Sequence, residues 1–166
     1  YDDPYTEKKA NVSGLFPNLD MCAFFPDGRM EVYRSYEITA QELVDNGAYM
    51  VYSFGPYLMK DGKLSEMAYE SSESKNPRCA IGMVEPGHYV CVVVESRTAE
   101  SKGESCVWMG KIMAELGCET ALNLDGGATS TMMFMGKQIN KSGNYGDITN
   151  REQNELFGIG YSEAVK

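Results

Sequence analysis

The chain has one histidine and one tryptophan in 166 residues, and no apolar run reaches the roughly 18 residues that a membrane-spanning helix needs. Its longest apolar stretch, Tyr89 to Val94, is strand-sized. A Ser-His-Asp or Cys-His mechanism would have to run through His88, which stands beside the Pro86-Gly87 turn and reads better as turn or strand packing. The five cysteines, Cys22, Cys79, Cys91, Cys106 and Cys118, are an odd set without CxxC spacing. With one histidine they do not make a zinc site, and their apolar surroundings read as buried thiols rather than disulfides. Basic residues are also short: 15 Lys and Arg against 24 Asp and Glu give a formal charge of −9 and no basic cluster. That excludes a nucleic-acid partner, whose phosphates are held mostly by grouped cations. A phosphate-bearing substrate would have to be attracted locally, by a few arginines and backbone amides. So acidic a chain leaves room for an oxygen-ligated Ca²⁺ or Mg²⁺; no other cofactor is indicated, and no pattern fixes an oligomeric state.

What is present is enough for one globular domain, with hydrophobic residues at 43%. Residues 1–20, with Pro4, Gly14 and Pro17, read as an irregular lead-in arm, and residues 21–166 as the domain. MCAFF, the turn Pro26-Asp27-Gly28 and RMEVYR predict a β-hairpin. Thr39-Ala40-Gln41-Glu42 is a capping box that starts a helix ending near Gly47. Strand-like YMVYSF follows, then a hairpin turning at Asp61-Gly62. Residues 67–76 read as a loop, and strands Arg78 to Val84 and His88 to Glu95 are joined through Glu85-Pro86-Gly87. Ser105 to Leu116 predicts a helix closed by Gly117, with only Lys111 and Glu115 charged inside it, so most of its circumference should be covered. ETALNL, TSTMMFM and Leu156 to Tyr161 predict further strands. About eight strands and two helices in mixed order imply an α+β fold, a mixed, largely antiparallel sheet with the helices packed on it.

Chemistry in such a chain falls to carboxylates, arginines and glycine-rich backbone. Asp125 follows the apolar strand ALNL and precedes Gly126 and Gly127, so backbone amides can approach a ligand there, with the hydroxyls of Thr129, Ser130 and Thr131 next. The same pattern also describes a hairpin loop whose Asp caps its own turn. Arg78 precedes one strand of a hairpin and Arg97 follows the other, so the two guanidiniums share a sheet end where they can hold a phosphate, with Glu95 nearby. Two solvated strand-end arginines would show that spacing too.

Four segments resemble, in order, the phosphodiester glycosidase family. GPYLMKDGKL at Gly55 to Leu64 is similar to its gp-l-dG hairpin, and NPRCAIGM at Asn76 to Met83 to its R-T-A-I-G strand. VESRTAESKG at Val94 to Gly103 is similar to its D-G-R and S-x-G segment before a helix. ALNLDGGATSTM at Ala121 to Met132 resembles its A-L-N-L-D-G-G-G-S-S-T-M signature. The resemblance implies hydrolysis of the glycosyl bond of a sugar-1-phosphodiester of the N-acetylglucosamine type, in cell-envelope or exopolysaccharide metabolism. Asp125 and Glu95 would be the catalytic carboxylates. Arg78, Arg97, Ser101, Gly103, Asn123, Gly126, Gly127, Thr129 and Ser130 would bind the carbohydrate phosphodiester. An extracellular or envelope location follows from family habit, although the sequence opens at Tyr1 without a signal peptide. Cys79 replaces a Thr, Ala128 the third Gly, and Glu95-Ser96 an Asp-Gly. Family members carry an N-terminal half with an N-G-G-F-like segment that contributes to the site, and none stands before Gly55. The alternative is a non-catalytic glycan or sugar-phosphate binding domain.

Overall fold

The computed structural model describes residues 19–66, 74–141 and 156–160. The elements are β1 (Asp20–Phe24), β2 (Met30–Tyr33), α1 (Ala40–Asp45), β3 (Met50–Phe54), β4 (Tyr57–Lys60), β5 (Lys63–Leu64), β6 (Arg78–Glu85), β7 (His88–Val94), α2 (Cys106–Glu115), β8 (Thr120–Leu124), β9 (Met133–Phe134) and β10 (Lys137–Gln138). They form a three-stranded sheet, β2-β1-β3, a five-stranded sheet, β5-β4-β8-β6-β7, and the hairpin β9-β10. Every described ladder is antiparallel, so the fold is α+β with antiparallel sheets and two described α-helices.

Strand alternation sorts the core into three layers. Ala80 and Ala121 of the larger sheet meet Met109 and Met113 of α2. Its other face sends Tyr57, Ile81, Met83 and Leu122 against Cys22, Phe24, Met30 and Val32 of the smaller sheet. On that sheet's outer side, Met21, Ala23 and Phe25 cover Leu43 of α1. The order is therefore helix, sheet, sheet, helix. Phe24 lies between the sheets with its ring edge-on to Tyr89 at 5.6 Å, and the Tyr89 hydroxyl donates to the Gly28 carbonyl at 2.7 Å. Each such aromatic pair adds about 0.5–1.5 kcal/mol beyond its buried area.

The capping box forms as expected. Thr39 Oγ1 accepts from the Glu42 amide at 3.2 Å, and Glu42 accepts from the Thr39 amide at 2.8 Å. The turns at Asp27-Gly28, Asp61-Gly62 and Gly87 fall where the sequence puts them, each glycine at positive φ.

Several expectations change. β1 begins at Asp20, inside the expected arm; the rest of that arm through residue 18, and most of the expected loop at 67–76, lie outside the described residues. α2 is covered on one side only: Cys106, Met109, Gly110 and Met113 are buried, whereas Trp108, Lys111, Ala114 and Glu115 face outward. Sparse charge there did not mean an enclosed helix. TSTMMFM is not one strand. Gly127–Thr129 make a 3-10 turn, closed by Thr129 Oγ1 donating to the Gly126 carbonyl at 2.7 Å, and only Met133 and Phe134 pair. Residues 156–160 form no strand. None of the five cysteines is in a disulfide, but Cys91 is exposed on β7, the outer strand of the five-stranded sheet, and Cys79 is half-buried near the start of β6. Among the described residues no helix is long and apolar enough to cross a membrane.

Candidate active site

Antiparallel order brings the end of β8, the start of β6, the end of β7 and the start of β4 to one edge of the five-stranded sheet. Ala80 lies opposite Asn123, Cys79 opposite Leu124 and Arg78 opposite Val94. The four segments singled out in the sequence therefore meet at that edge. His88, at the start of β7, lies at the other edge, exposed and paired with Glu85.

Asn123 fixes where the loop leaves the sheet. It is buried, and its Nδ2 donates to the Gly55 carbonyl at 2.8 Å, while its amide donates to Pro56 O at 3.1 Å and its carbonyl accepts from the Gly55 amide at 3.0 Å. Its Oδ1 is buried without a hydrogen-bond partner among the described residues. Asp125 then turns the chain, its Oδ1 accepting from the Gly126 amide at 2.8 Å. Gly126 and Gly127 are required for different reasons. A Cβ on Gly126 would stand 2.6 Å from the Pro77 carbonyl oxygen. Gly127 has φ +66°, and its amide donates to that same oxygen at 3.0 Å.

Over Gly127 lies the guanidinium of Arg97, with Nη1 and Nη2 at 3.6 and 3.7 Å from where a Cβ would be. Arg97 itself has φ +59°, and Nη2 donates to Asn76 Oδ1 at 3.4 Å. Left-handed backbone at a bulky residue costs energy, so the surrounding structure holds this arginine in place. Arg78 starts beside Gly126, but its side chain turns to main-chain carbonyls: Nε donates to Glu104 O at 3.2 Å and Nη2 to Ser74 O at 3.1 Å. One arginine thus covers the glycine loop and the other braces the neighbouring bridge between Asn76 and Glu104.

Ser101 and Gly103 shape the segment that carries Arg97. Ser101 Oγ donates to Glu95 O at 2.5 Å and accepts from the Gly103 amide at 3.2 Å. Gly103, at φ +81°, has Asn76 O pressed against the position of its missing Cβ and Ser96 Oγ 2.6 Å from it. The Glu95 carboxylate accepts from the Lys141 amide at 2.6 Å. Thr129 closes the turn described above, and Ser130 is fully buried, its Oγ without an oxygen or nitrogen partner among the described residues. Ser130 lies beside Cys79, whose thiol burial pushes up while the Ser130 hydroxyl pulls the other way.

Three neighbours escaped the sequence reading. Asn76 holds Arg97, and Asn140 holds the loop's far end. Asp20 is buried at the same edge, its Oδ2 accepting from the Tyr57 amide at 2.8 Å. Burial holds its carboxyl above the usual range, against the Tyr57 hydrogen bond and the nearby Arg34. The legible signal for Asp20 was period two: with Cys22 and Phe24 it completes the inward face of β1. Among the described residues no group of three or more His, Cys, Asp or Glu side chains gathers as a metal site would need.

Comparison with known proteins agrees with these segments. A Bacillus subtilis (strain 168) protein, the SPbeta prophage-derived uncharacterized protein YomE, is 35% identical over 128 residues, which is 75% of this chain and 20% of that protein. The catalytic domain of zebrafish N-acetylglucosamine-1-phosphodiester alpha-N-acetylglucosaminidase, auto-inhibited by its pro-peptide, shares the fold at a TM-score of 0.59 and 18% identity. That match covers 81% of this chain and 47% of the zebrafish chain. The chain thus spans about a fifth of one relative and under half of the other. The sequence profile of the phosphodiester glycosidase family matches residues 9–159, and the chain belongs to that family.

Proposed function

We propose that this chain carries the Asp125 part of a glycosidase site that hydrolyses the glycosyl bond of a sugar-1-phosphodiester, of the N-acetylglucosamine type, in envelope or exopolysaccharide metabolism outside the cell. The observation that carries this reading is the Arg97 guanidinium set over Gly127, two residues along the loop from Asp125. A guanidinium and glycine-loop backbone suit the phosphate of a diester, and the adjoining carboxylate suits its anomeric carbon. In this scheme Arg97 offsets the charge gathering on the departing phosphate, which makes it a better leaving group and lessens the need for an acid. Asp125 acts at the anomeric centre as base or nucleophile. Glu95 serves as the second carboxylate, oriented through Lys141. Arg78, Asn123, Ser101, Gly103 and the buried Ser130 set the loop geometry, while Gly126, Gly127 and Thr129 shape the surface against which the diester is oriented.

The test is turnover of UDP-N-acetylglucosamine and of a synthetic sugar phosphodiester, with this chain and with a version carrying the longer family architecture. Sugar release abolished by Asp125→Asn supports the reading. No release from either form refutes it. Sugar-phosphate binding without turnover in the longer form favours the non-catalytic binding domain instead.

A further inference from the structure

The hairpin β9-β10 hangs from the far end of the glycine loop, and one side chain fastens it. Asn140 Oδ1 accepts from the Met132 amide at 2.6 Å, and its Nδ2 donates to the Ser130 carbonyl at 2.8 Å. A single carboxamide thus takes the place of a neighbouring strand for the Ser130–Met132 stretch. Asn140 is itself fixed. The Ile139 amide donates to Met132 O at 3.0 Å, Gln138 Nε2 donates to Asn140 O at 2.9 Å, and the Lys141 amide donates to Glu95 Oε1 at 2.6 Å. Residues 138–141 therefore join the end of the loop to the carboxylate that follows β7.

We propose that Asn140 is a positioning residue: by clamping Ser130 and Met132 it sets the orientation of the Thr129–Ser130 turn relative to Gly127, Arg97 and Asp125. The proposal fits the chain's departure from regular structure here. Thr129 and Ser130 lie in a turn rather than in the predicted strand because their backbone partners come from a side chain and from Gly126 and Gly127. Carboxamides suit this work, having an acceptor oxygen and a donor NH2 at the spacing of a peptide group. The functional half of the inference rests on the hydrolase reading above, whereas the clamp does not.

Asn140→Ala removes both bonds, and Asn140→Asp keeps the acceptor for Met132 while losing the donor to Ser130. Lys137→Ala, exposed on the same hairpin, is the control. Amide hydrogen exchange is expected to quicken at Met132 in Asn140→Ala by roughly fivefold, the worth of one net hydrogen bond. Amide chemical shifts should move from Gly126 to Ser130 in both Asn140 variants. In the turnover assay kcat is expected to fall roughly tenfold or more with KM little changed, because misplaced groups cost the transition state. Exchange and shifts like those of Lys137→Ala in a folded Asn140 variant overturn the clamp. A perturbed loop with unchanged kcat overturns the positioning role. If the unaltered protein turns nothing over, the hydrolase reading fails, and the exchange and shift measurements still decide the clamp.

Discussion

Replacing Gly126 and Gly127 separately by alanine tests whether the loop is built as described, since the two fail for different reasons. Gly127 sits at φ +66° with ordinary space around it, the nearest atoms being Arg97 nitrogens at 3.6 Å or more. Gly127→Ala therefore costs mainly the left-handed backbone, about 1–2 kcal/mol. A stiffer unfolded chain returns about 0.4–1 kcal/mol of that, so the net loss is near 1 kcal/mol. Gly126 has φ −131°, which any residue adopts, but its Cβ would stand 2.6 Å from the Pro77 oxygen. That oxygen belongs to main chain and accepts the Gly127 amide at 3.0 Å, so relief means moving residues 77–78 and weakening that bond. Overpacking costs about 1–3 kcal/mol and an unmet amide about 1–3 kcal/mol, which sets Gly126→Ala at roughly 2–6 kcal/mol before the stiffer unfolded chain returns its share. Gly127→Asn should be milder than Gly127→Ala, because asparagine tolerates the left-handed region. Urea denaturation with a shared slope gives the three values. A Gly126→Ala loss no larger than that of Gly127→Ala, or a Gly127→Asn loss above it, would refute the packing argument.

Asp20 gives a pH prediction. Its folded carboxyl is raised above the ordinary value of 3.8, so its contribution to stability is fully present below that value and is lost as pH climbs through the folded one. Asp20→Asn keeps an acceptor for the Tyr57 amide and removes the buried charge. Thermal melts should show it at least as stable as the parent at pH 7, with the gain vanishing under acid, and a neutral-pH loss would count against the account. Thr39→Ala removes the cap that accepts the Glu42 amide and should lower stability by about 1 kcal/mol in the same urea assay. Phe24→Ala, emptying a nearly sealed site between the two sheets, should cost about 3–5 kcal/mol, with a drop below 1 kcal/mol contradicting the layer order.

The parts of the fold written in local chemistry were readable from sequence. Asp27-Gly28 and Asp61-Gly62 announce turns through the φ angles they tolerate, and Thr39 with Glu42 announces a helix start. The edge that gathers the candidate site also followed, since a hairpin from Arg78 to Arg97 must return its ends together. The misreadings came where tertiary partners replace local ones. Thr129 to Met132 has strand-like residues, yet Asn140 and the two glycines claim its backbone groups, and no local pattern reports a carboxamide ten residues away. Arg78 and Arg97 look equivalent in sequence. Their difference lies in tertiary neighbours that spacing does not report: the Glu104 and Ser74 carbonyls take the first, whereas the second lies over Gly127 and donates to Asn76. Asp20 is hard to single out because one carboxylate at the start of an apolar strand resembles the end of a polar arm.

In the proposed reaction the oxygen of water ends on the sugar carbon, with phosphate departing from Arg97's side of the loop. Hydrolysis of a sugar-1-phosphodiester in water labelled with heavy oxygen, followed by mass spectrometry of both products, tests it most directly. Label is expected in the released sugar, and is lost together with turnover in Asp125→Asn. Label in the phosphate would mean phosphorus–oxygen cleavage and would contradict it.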